Sequence, residues 1–325
     1  MALKTRIFVY EYLSGGGDLA GGLADELPAM GQAMRDAMVA DLLAVENCQV
    51  TVATCAQAAP VPQAARAVSP LRGETAAQFV RRQAEVHDIA WVVAPETDGL
   101  LAALHPCVGA ERWLGCDLPA IELSTHKRRT LSALARHGIA TPLDFEQAPD
   151  IDRWVVKPDD GAGSVATRVH RSRQHACEDW RGRKCAGQSA AMEPWIDGAA
   201  LSLSLMCGAA GCELLSINRQ QLHVDEEGWV SFCGVEAGAI SLGDPRAARL
   251  AELATRIHGA IDGLRGFVGI DLVWHAARGP VVIEVNPRVT CAYVGLSRVL
   301  GRNLAADVIA SHAAHPILEL AHGHA

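Results

Sequence analysis

Short apolar runs separated by longer amphipathic stretches dominate the first part of the chain. Ile7–Tyr10 reads as a β-strand that runs into Ser14-Gly15-Gly16-Gly17. The pattern then predicts a helix from about Glu26 to Val45 and a strand over Gln49–Ala53. Ala58–Pro70 is rich in Pro and Ala and reads as a loop; Glu74–His87 reads as a helix and Ile89–Val93 as a buried strand. Such alternation builds βαβ units around a parallel sheet. Ser124–His137 predicts a further helix, with Ser124 as N-cap and Gly138 just past its end, before Thr141-Pro142 breaks the chain.

The texture changes after Asp150. Trp154–Val156, Val165–Val169, Leu201–Met206, Leu214–Ile217 and Trp229–Cys233 read as strands, and polar Gly182–Gln188 as a connection between strands. Asp244–Ile261 predicts a helix. Gly269–Trp274 and Val281–Asn286 form a hairpin across a turn at Ala276–Pro280, and Val294–Leu300 and Ala305–His312 close the pattern as helices. No internal repeat is visible.

Composition narrows the picture. The 325 residues suffice for two or three compact subdomains. Half are hydrophobic and a fifth charged, as in a soluble globular protein. A formal net charge of −8 argues against a nucleic-acid partner. No apolar run approaches the ~20 residues that span a bilayer, so no membrane role is expected. The first residues lack the apolar core of a signal peptide. Ten scattered cysteines show neither Cys-x-x-Cys nor zinc-finger spacing and read as reduced thiols of a cytoplasmic protein.

Two stretches carry candidate chemistry. In the hairpin, Asp271 lies on one strand, and Glu284 and Asn286 lie two apart on the next, on one face. Hard oxygen donors of this kind suit Mg²⁺; the competing reading is a pair of edge strands with solvated acids. In the other stretch, Trp154-Val-Val-Lys157-Pro158 is a strand delivering a lysine into a loop with Gly161, Gly163 and Ser164. The glycines let backbone approach phosphate oxygens, and Lys157 supplies a point charge. It is not a P-loop, since no Gly-Lys-Ser/Thr ends it; the competing reading is a plain β-turn.

Asp271 followed by Glu284-x-Asn286-Pro287-Arg288, together with the Lys157 loop, resembles the ATP-grasp ligases. The resemblance implies an α/β ATP-grasp fold: an N-terminal parallel βαβ domain over 1–122, then two α+β subdomains gripping ATP over 123–325, the lid about 151–198 and the C-terminal part about 199–325. It implies ATP with one or two Mg²⁺ or Mn²⁺ ions on Asp271, Glu284 and Asn286. Lys127, within Thr125-His126-Lys127-Arg128, matches the family's earlier lysine, although many relatives carry Asp where this chain has His126. Glu193, Pro194 and Ile196 match the adenine hinge by position; Pro194 offers only its carbonyl. The acid that often holds the ribose falls near Ala200, leaving Asp197 or Ser202 as substitutes, while Trp195 reads as core.

Arg288 is the candidate for the acyl-phosphate site. Arg219 could hold the γ-phosphate or a substrate carboxylate, against a plain surface arginine. His223 and His275 read as structural. Gly15-Gly16-Gly17-Asp18-Leu19-Ala20 formally satisfies a dinucleotide fingerprint, but no helix clearly starts there and no ribose acid follows Thr54-Cys55. The resemblance implies instead that Ser14, Gly15, Gly16 and Gly17 face the substrate. Glu96 or Asp98, at a carboxyl end of the same sheet, could hold a cationic amine, or cap a helix.

The implied activity is carboxylate–amine ligation through an acyl phosphate, on small-molecule acids and amines; a homodimer is left open. Val9-Tyr-Glu-Tyr-Leu-Ser-Gly-Gly-Gly17, Ala94-Pro-Glu-Thr-Asp-Gly-Leu100, the Lys157 loop and Ile217-Asn-Arg-Gln220 resemble the tyramine–L-glutamate ligases of methanofuran-type cofactor synthesis, which implies a γ-glutamyl amide. The rivals are a dipeptide ligase of the D-alanine–D-alanine type and a non-catalytic ATP-binding regulator.

Overall fold

The computed structural model describes residues 4–17, 27–149, 151–161 and 163–313. Strand β1 (Thr5–Glu11) is followed by α1 (Leu27–Leu43), β2 (Cys48–Ala53), β3 (Arg66–Val68), α2 (Ala76–Ala84), β4 (Ile89–Val93), α3 (Leu100–Val108) and β5 (Trp113–Leu114). These strands form a parallel sheet in the order β3-β2-β1-β4-β5. Both faces are covered. Phe8 and Tyr10 join a cluster with Phe79, Leu101 and Leu104, whereas Ile7 and Val9 join Met34 and Met38 of α1. Two-sided burial explains why these strands read as continuous apolar runs. At α2, Thr75 and Gln78 exchange hydrogen bonds as a capping box, a device that contributes about 1 kcal/mol.

Helices α4 (Leu118–Thr125) and α5 (Lys127–Arg136) meet at an extended His126. A small antiparallel sheet, β7-β6-β8, follows from β6 (Trp154–Lys157), β7 (Arg168–His170), α6 (Arg173–Cys185) and β8 (Ala191–Pro194). The last sheet comprises β9 (Ala199–Gly208), β10 (Gly211–Val224), β11 (Val230–Ile240), then after α7 (Pro245–Ala260) the hairpin β12 (Gly266–His275) and β13 (Gly279–Asn286). It is antiparallel, in the order β11-β10-β9-β12-β13. Helix α7 lays Leu250, Leu253 and Ile257 on Leu203, Leu205 and Val268. Helices α8 (Leu296–Leu300) and α9 (Leu304–Ala313) return to the first sheet, where Leu296, Leu304 and Val308 share the cluster of Met34 and Met38. Asp41 of α1 accepts hydrogen bonds from Tyr293 Oη (2.6 Å) and Ser297 Oγ.

Four expectations need correction. Ser124 is not an N-cap: it lies in the last turn of α4, and α5 starts after His126. The Ala58–Pro70 loop contains β3. Gly182–Gln188 does join two strands, but its first part, Gly182–Cys185, is the end of α6, and only Arg168 and Val169 of the Val165–Val169 run are strand. Helix α6 was invisible because Ala176 is its one buried residue, so no apolar period marks it. The division expected at 122–123 falls within α4, and that at 198–199 falls between β8 and β9. Asp18, Leu19 and Ala20 of the formal dinucleotide motif lie outside the described residues. Among the described residues no helix is long and apolar enough to cross a membrane.

Candidate active site

The small sheet, the large sheet and the start of α5 enclose a cleft of about 240 Å³. Asp271 stands opposite Glu284 in the β12–β13 register, and Gly269 opposite Asn286. A register shift beyond this pair leaves Ile283 as an extra residue, so Ile283 and Glu284 both line the cleft although they are adjacent. Asp271 accepts hydrogen bonds from Gln220 Nε2 (2.9 Å) and Asn286 Nδ2 (3.2 Å). Burial first, then the neighbouring Glu284 charge, pushes its carboxyl up to about 7, against Asn286, Arg288 and Lys127.

These donors fit a hard divalent cation. Two carboxylates repel across the hairpin, the half-buried Asp271 resists ionisation, and Asn286 commits its amide nitrogen to Asp271 while its carbonyl oxygen remains. A bound cation would add positive charge directly at Asp271, whose hydrogen-bond partners here are neutral amides. The amide is needed for the count: among the described residues no three His, Cys, Asp or Glu side chains cluster for a metal.

Both predicted lysines are buried in the cleft wall, 5% and 6% exposed. Lys127 Nζ pairs with Glu284 Oε1 at 2.9 Å and donates to the Gly161 carbonyl. Burial pulls its ammonium down, but Glu284, with Glu96 and Glu193, outweighs this and the net shift is upward. Lys157 Nζ pairs with Glu193 Oε1 at 2.6 Å, and the buried Glu193 Oε2 has no hydrogen-bond partner among the described residues. The loop between them is pinned to α5. The Asp159 carbonyl accepts the Lys127 N–H (2.8 Å), and its carboxylate accepts the Arg128 N–H (2.9 Å) and faces His126 Nδ1 at 3.4 Å. His126 thus has a local partner despite departing from the family pattern. Further along, Gly163 is left-handed (φ 68°), and an added Cβ would lie 2.8 Å from Leu27. Ser164 (φ 60°) and Ala166 (φ 53°) share that region, which non-glycine residues rarely adopt outside functional loops.

Lys127, Lys157, Gly161, Gly163, Ser164, Glu193, Pro194, Ile196, Asp271, Glu284, Asn286 and Arg288 all line this cleft. Other predicted residues do not. Arg219 is 59% exposed at its side chain, 3.8 Å from Glu236, and its neighbour Gln220 takes the cleft face. Asp197 is 66% exposed and held by Arg153 and Trp195 Nε1, whereas Ser202 lines the cleft. Ser14 is turned inward: its N–H donates to Glu11 Oε2 (2.8 Å), and the Gly15 N–H donates to the Glu11 carbonyl. Gly16 and Gly17 close the same turn on Leu13 and Tyr12. Glu96 is 2% exposed and clamps Arg288 Nε and Nη2 in two 2.8 Å bonds, so these two candidates engage each other. Asp98 is exposed, and its N–H donates to Asp160 Oδ2 (2.9 Å) of the phosphate-side loop. Sequence reasoning missed Gln220, Thr290 and Cys291, and the apolar wall of Leu222, Phe232 and Val235. Only Gln220 had a signal, as the last residue of Ile217-Asn-Arg-Gln220.

Residues 124–292 match the family described as ATP-grasp domain, and residues 48–121 match the pre ATP-grasp 3 domain. The chain belongs to the ATP-grasp family. It is similar to the tyramine–L-glutamate ligase of Methanocaldococcus jannaschii, 28% identical over 211 residues, which cover 64% of this chain and 58% of that relative's length. Among solved structures it resembles an ATP-grasp superfamily protein from Archaeoglobus fulgidus (TM-score 0.71, 20% identity, 96% of this chain and 90% of the other). It also resembles an L-amino acid ligase from Bacillus licheniformis (TM-score 0.66, 18% identity, 96% and 74%). At these identities the structural likenesses speak to fold alone.

Proposed function

We propose that the chain is an ATP-dependent carboxylate–amine ligase that joins L-glutamate to tyramine or a related amine, a reaction of methanofuran-type cofactor synthesis. The observation that carries the reading is the convergence of two buried lysines with Asp271, Glu284 and Asn286 in one cleft. The acid and amine rest on the resemblance to the tyramine–L-glutamate ligase, of which this chain matches little more than half.

In this reading Lys127 and Lys157 exchange their carboxylate partners for phosphate oxygens. Gly161, Gly163 and Ser164 offer backbone from above. Glu193, Pro194 and Ile196 meet the adenine edge, and Ser202 replaces the solvent-facing Asp197 at the ribose. Asp271, Glu284 and Asn286 hold Mg²⁺, which when bound neutralises phosphate charge during transfer. A substrate carboxylate oxygen attacks the γ-phosphorus, ADP leaves, and the amine then displaces phosphate from the acyl carbon. Arg288, held in plane by Glu96, faces the acyl-phosphate oxygens. With Glu96 committed, Asp98 is the acid of its loop left to meet the amine. The chain's contribution is alignment and charge neutralisation rather than covalent catalysis.

The test is a mass spectrum of products from ATP, glutamate and a panel of amines and amino acids. A γ-glutamyl amide formed with stoichiometric ADP is expected. A dipeptide as the main product would replace the substrate assignment, and ATP binding with no product across the panel would overturn ligation itself.

A further inference from the structure

The tip of the β9–β10 hairpin carries chemistry that the cleft does not use. Gly208 pairs with Gly211 across the turn Ala209-Ala210, and Cys207 stands directly opposite Cys212. Opposed side chains on one face lie about 4.5–5.5 Å apart at Cβ, close to the span of a disulfide. Each thiol perturbs the titration of the other, as expected of neighbouring side chains. The backbone on the Cys207 side of the turn is anchored. Gly266 of β12 pairs with Cys207 on its far side, Ser311 Oγ of α9 donates to the Cys207 carbonyl (3.1 Å), and the His258 ring of α7 bonds the Gly208 carbonyl (3.1 Å). The strand register keeps the two side chains opposite each other, so the second thiol meets the first without diffusion.

The pair is asymmetric. Cys207 is fully buried and Cys212 half-buried. Interaction with Cys212, then burial, pushes the Cys207 thiol up, whereas Cys212 is drawn down by the same neighbour against its partial burial. Cys212 is thus the sulfur that an external disulfide can reach first. Cys116 lies nearby but is not a competitor: it is fully buried, bonded to the Arg265 backbone on both donor and acceptor sides, and pushed up to about 12 by burial.

We propose that Cys207 and Cys212 form a redox-active dithiol that closes to a cross-strand disulfide on meeting a small-molecule disulfide such as glutathione disulfide. The Cys212 thiolate attacks one glutathione sulfur and expels a glutathione thiolate, giving a mixed disulfide. Cys207 then attacks the Cys212 sulfur and expels the second glutathione, its proton passing to the departing glutathione sulfur. Two protein S–H bonds are lost, one S–S bond forms, and one glutathione disulfide is reduced to two thiols.

The experiment incubates the reduced full chain in a glutathione redox buffer, quenches with acid and reads the digest by tandem mass spectrometry. The peptide containing residues 207–212 is expected to lose two hydrogens and to stop fragmenting between its cysteines. Dithiothreitol should reverse both changes. Cys207→Ala should stop at a glutathione adduct on Cys212, while Cys212→Ala should leave Cys207 free. A wild-type peptide that stays reduced, or that carries only glutathione adducts, overturns the proposal. So does an adduct on Cys207 in Cys212→Ala that matches the yield on Cys212 in Cys207→Ala. None of these readouts depends on ligase activity.

Discussion

The β12–β13 hairpin and Glu96, in the loop after β4, both bring carboxylates to the same region, yet only those of the hairpin are left open to it. Asp271 is held by two amides, and Glu284 by one lysine that it shares with a backbone carbonyl. Glu96 instead meets the full fork of Arg288, both oxygens taken. A carboxylate is available to a ligand only if its resident partners are weaker than, or exchangeable for, what the ligand brings. Amide donors leave the charge unbalanced; a buried bidentate guanidinium balances it. The two regions carry the same functional group and differ in its electrostatic closure.

The largest effect should come from the open side. Glu284→Gln is expected to lower ADP release by about three orders of magnitude or more while circular dichroism stays native; near-normal turnover would remove the hairpin from the chemistry. Next comes the lysine wall. Lys157→Met alone would strand the buried Glu193, so the informative variant is Lys157→Met with Glu193→Gln. Loss of one charged hydrogen bond, about 1.5–3 kcal/mol, predicts ATP affinity weaker by roughly 10- to 150-fold in calorimetry; an unchanged Kd would detach Lys157 from the nucleotide.

The closed side sharpens the contrast. Glu96→Gln should release Arg288 and reduce kcat about tenfold with ATP affinity kept, whereas Asp98→Asn should spare kcat and raise the amine KM a few fold. Identical kinetic profiles for the two variants would mean that their different burial has no functional weight. The smallest effect distinguishes the regions by pH. His87, beneath Phe8, and His105, against Trp113, both lie by the parallel sheet, and burial holds both below the usual imidazole value. Their neutral forms therefore support the fold above the unfolded pKa of about 6.5, and that support is lost as pH falls through and below it. Between pH 7.5 and 5.5, hydrogen-exchange protection corrected for the intrinsic rate at each pH should fall first around β1, β4 and β5; a uniform fall would reject the assignment.

The hairpin was legible because its polar residues interrupt apolar strands at an interval that survives folding, and Lys157 because a strand delivers it straight into glycines. Of the two readings of Arg219, the exposed one fits its position for a physical reason. Register shifts flank it in the β10–β11 pairing, and strand parity cannot be carried through irregular pairing that the sequence does not advertise. Gln220 took the inward place. Ser14 was legible as a loop residue, but not that the buried Glu11 would draw its N–H inward. The pairing of Glu96 with Arg288 spans 192 residues, and no local pattern announces it.

The Asp41 contacts have a kinetic consequence. Tyr293 and Ser297 reach Asp41 across 252 and 256 residues, and Leu296, Leu304 and Val308 complete the apolar layer under α1. Closing a loop of that length costs entropy before its contacts return anything, and non-local closure slows folding. The outer layer of the first sheet must wait for the segment beyond residue 290, although β1 and β2 can pair as soon as both emerge from the ribosome. During synthesis that part of the α1 face stays uncovered until nearly the whole of the described chain has been made.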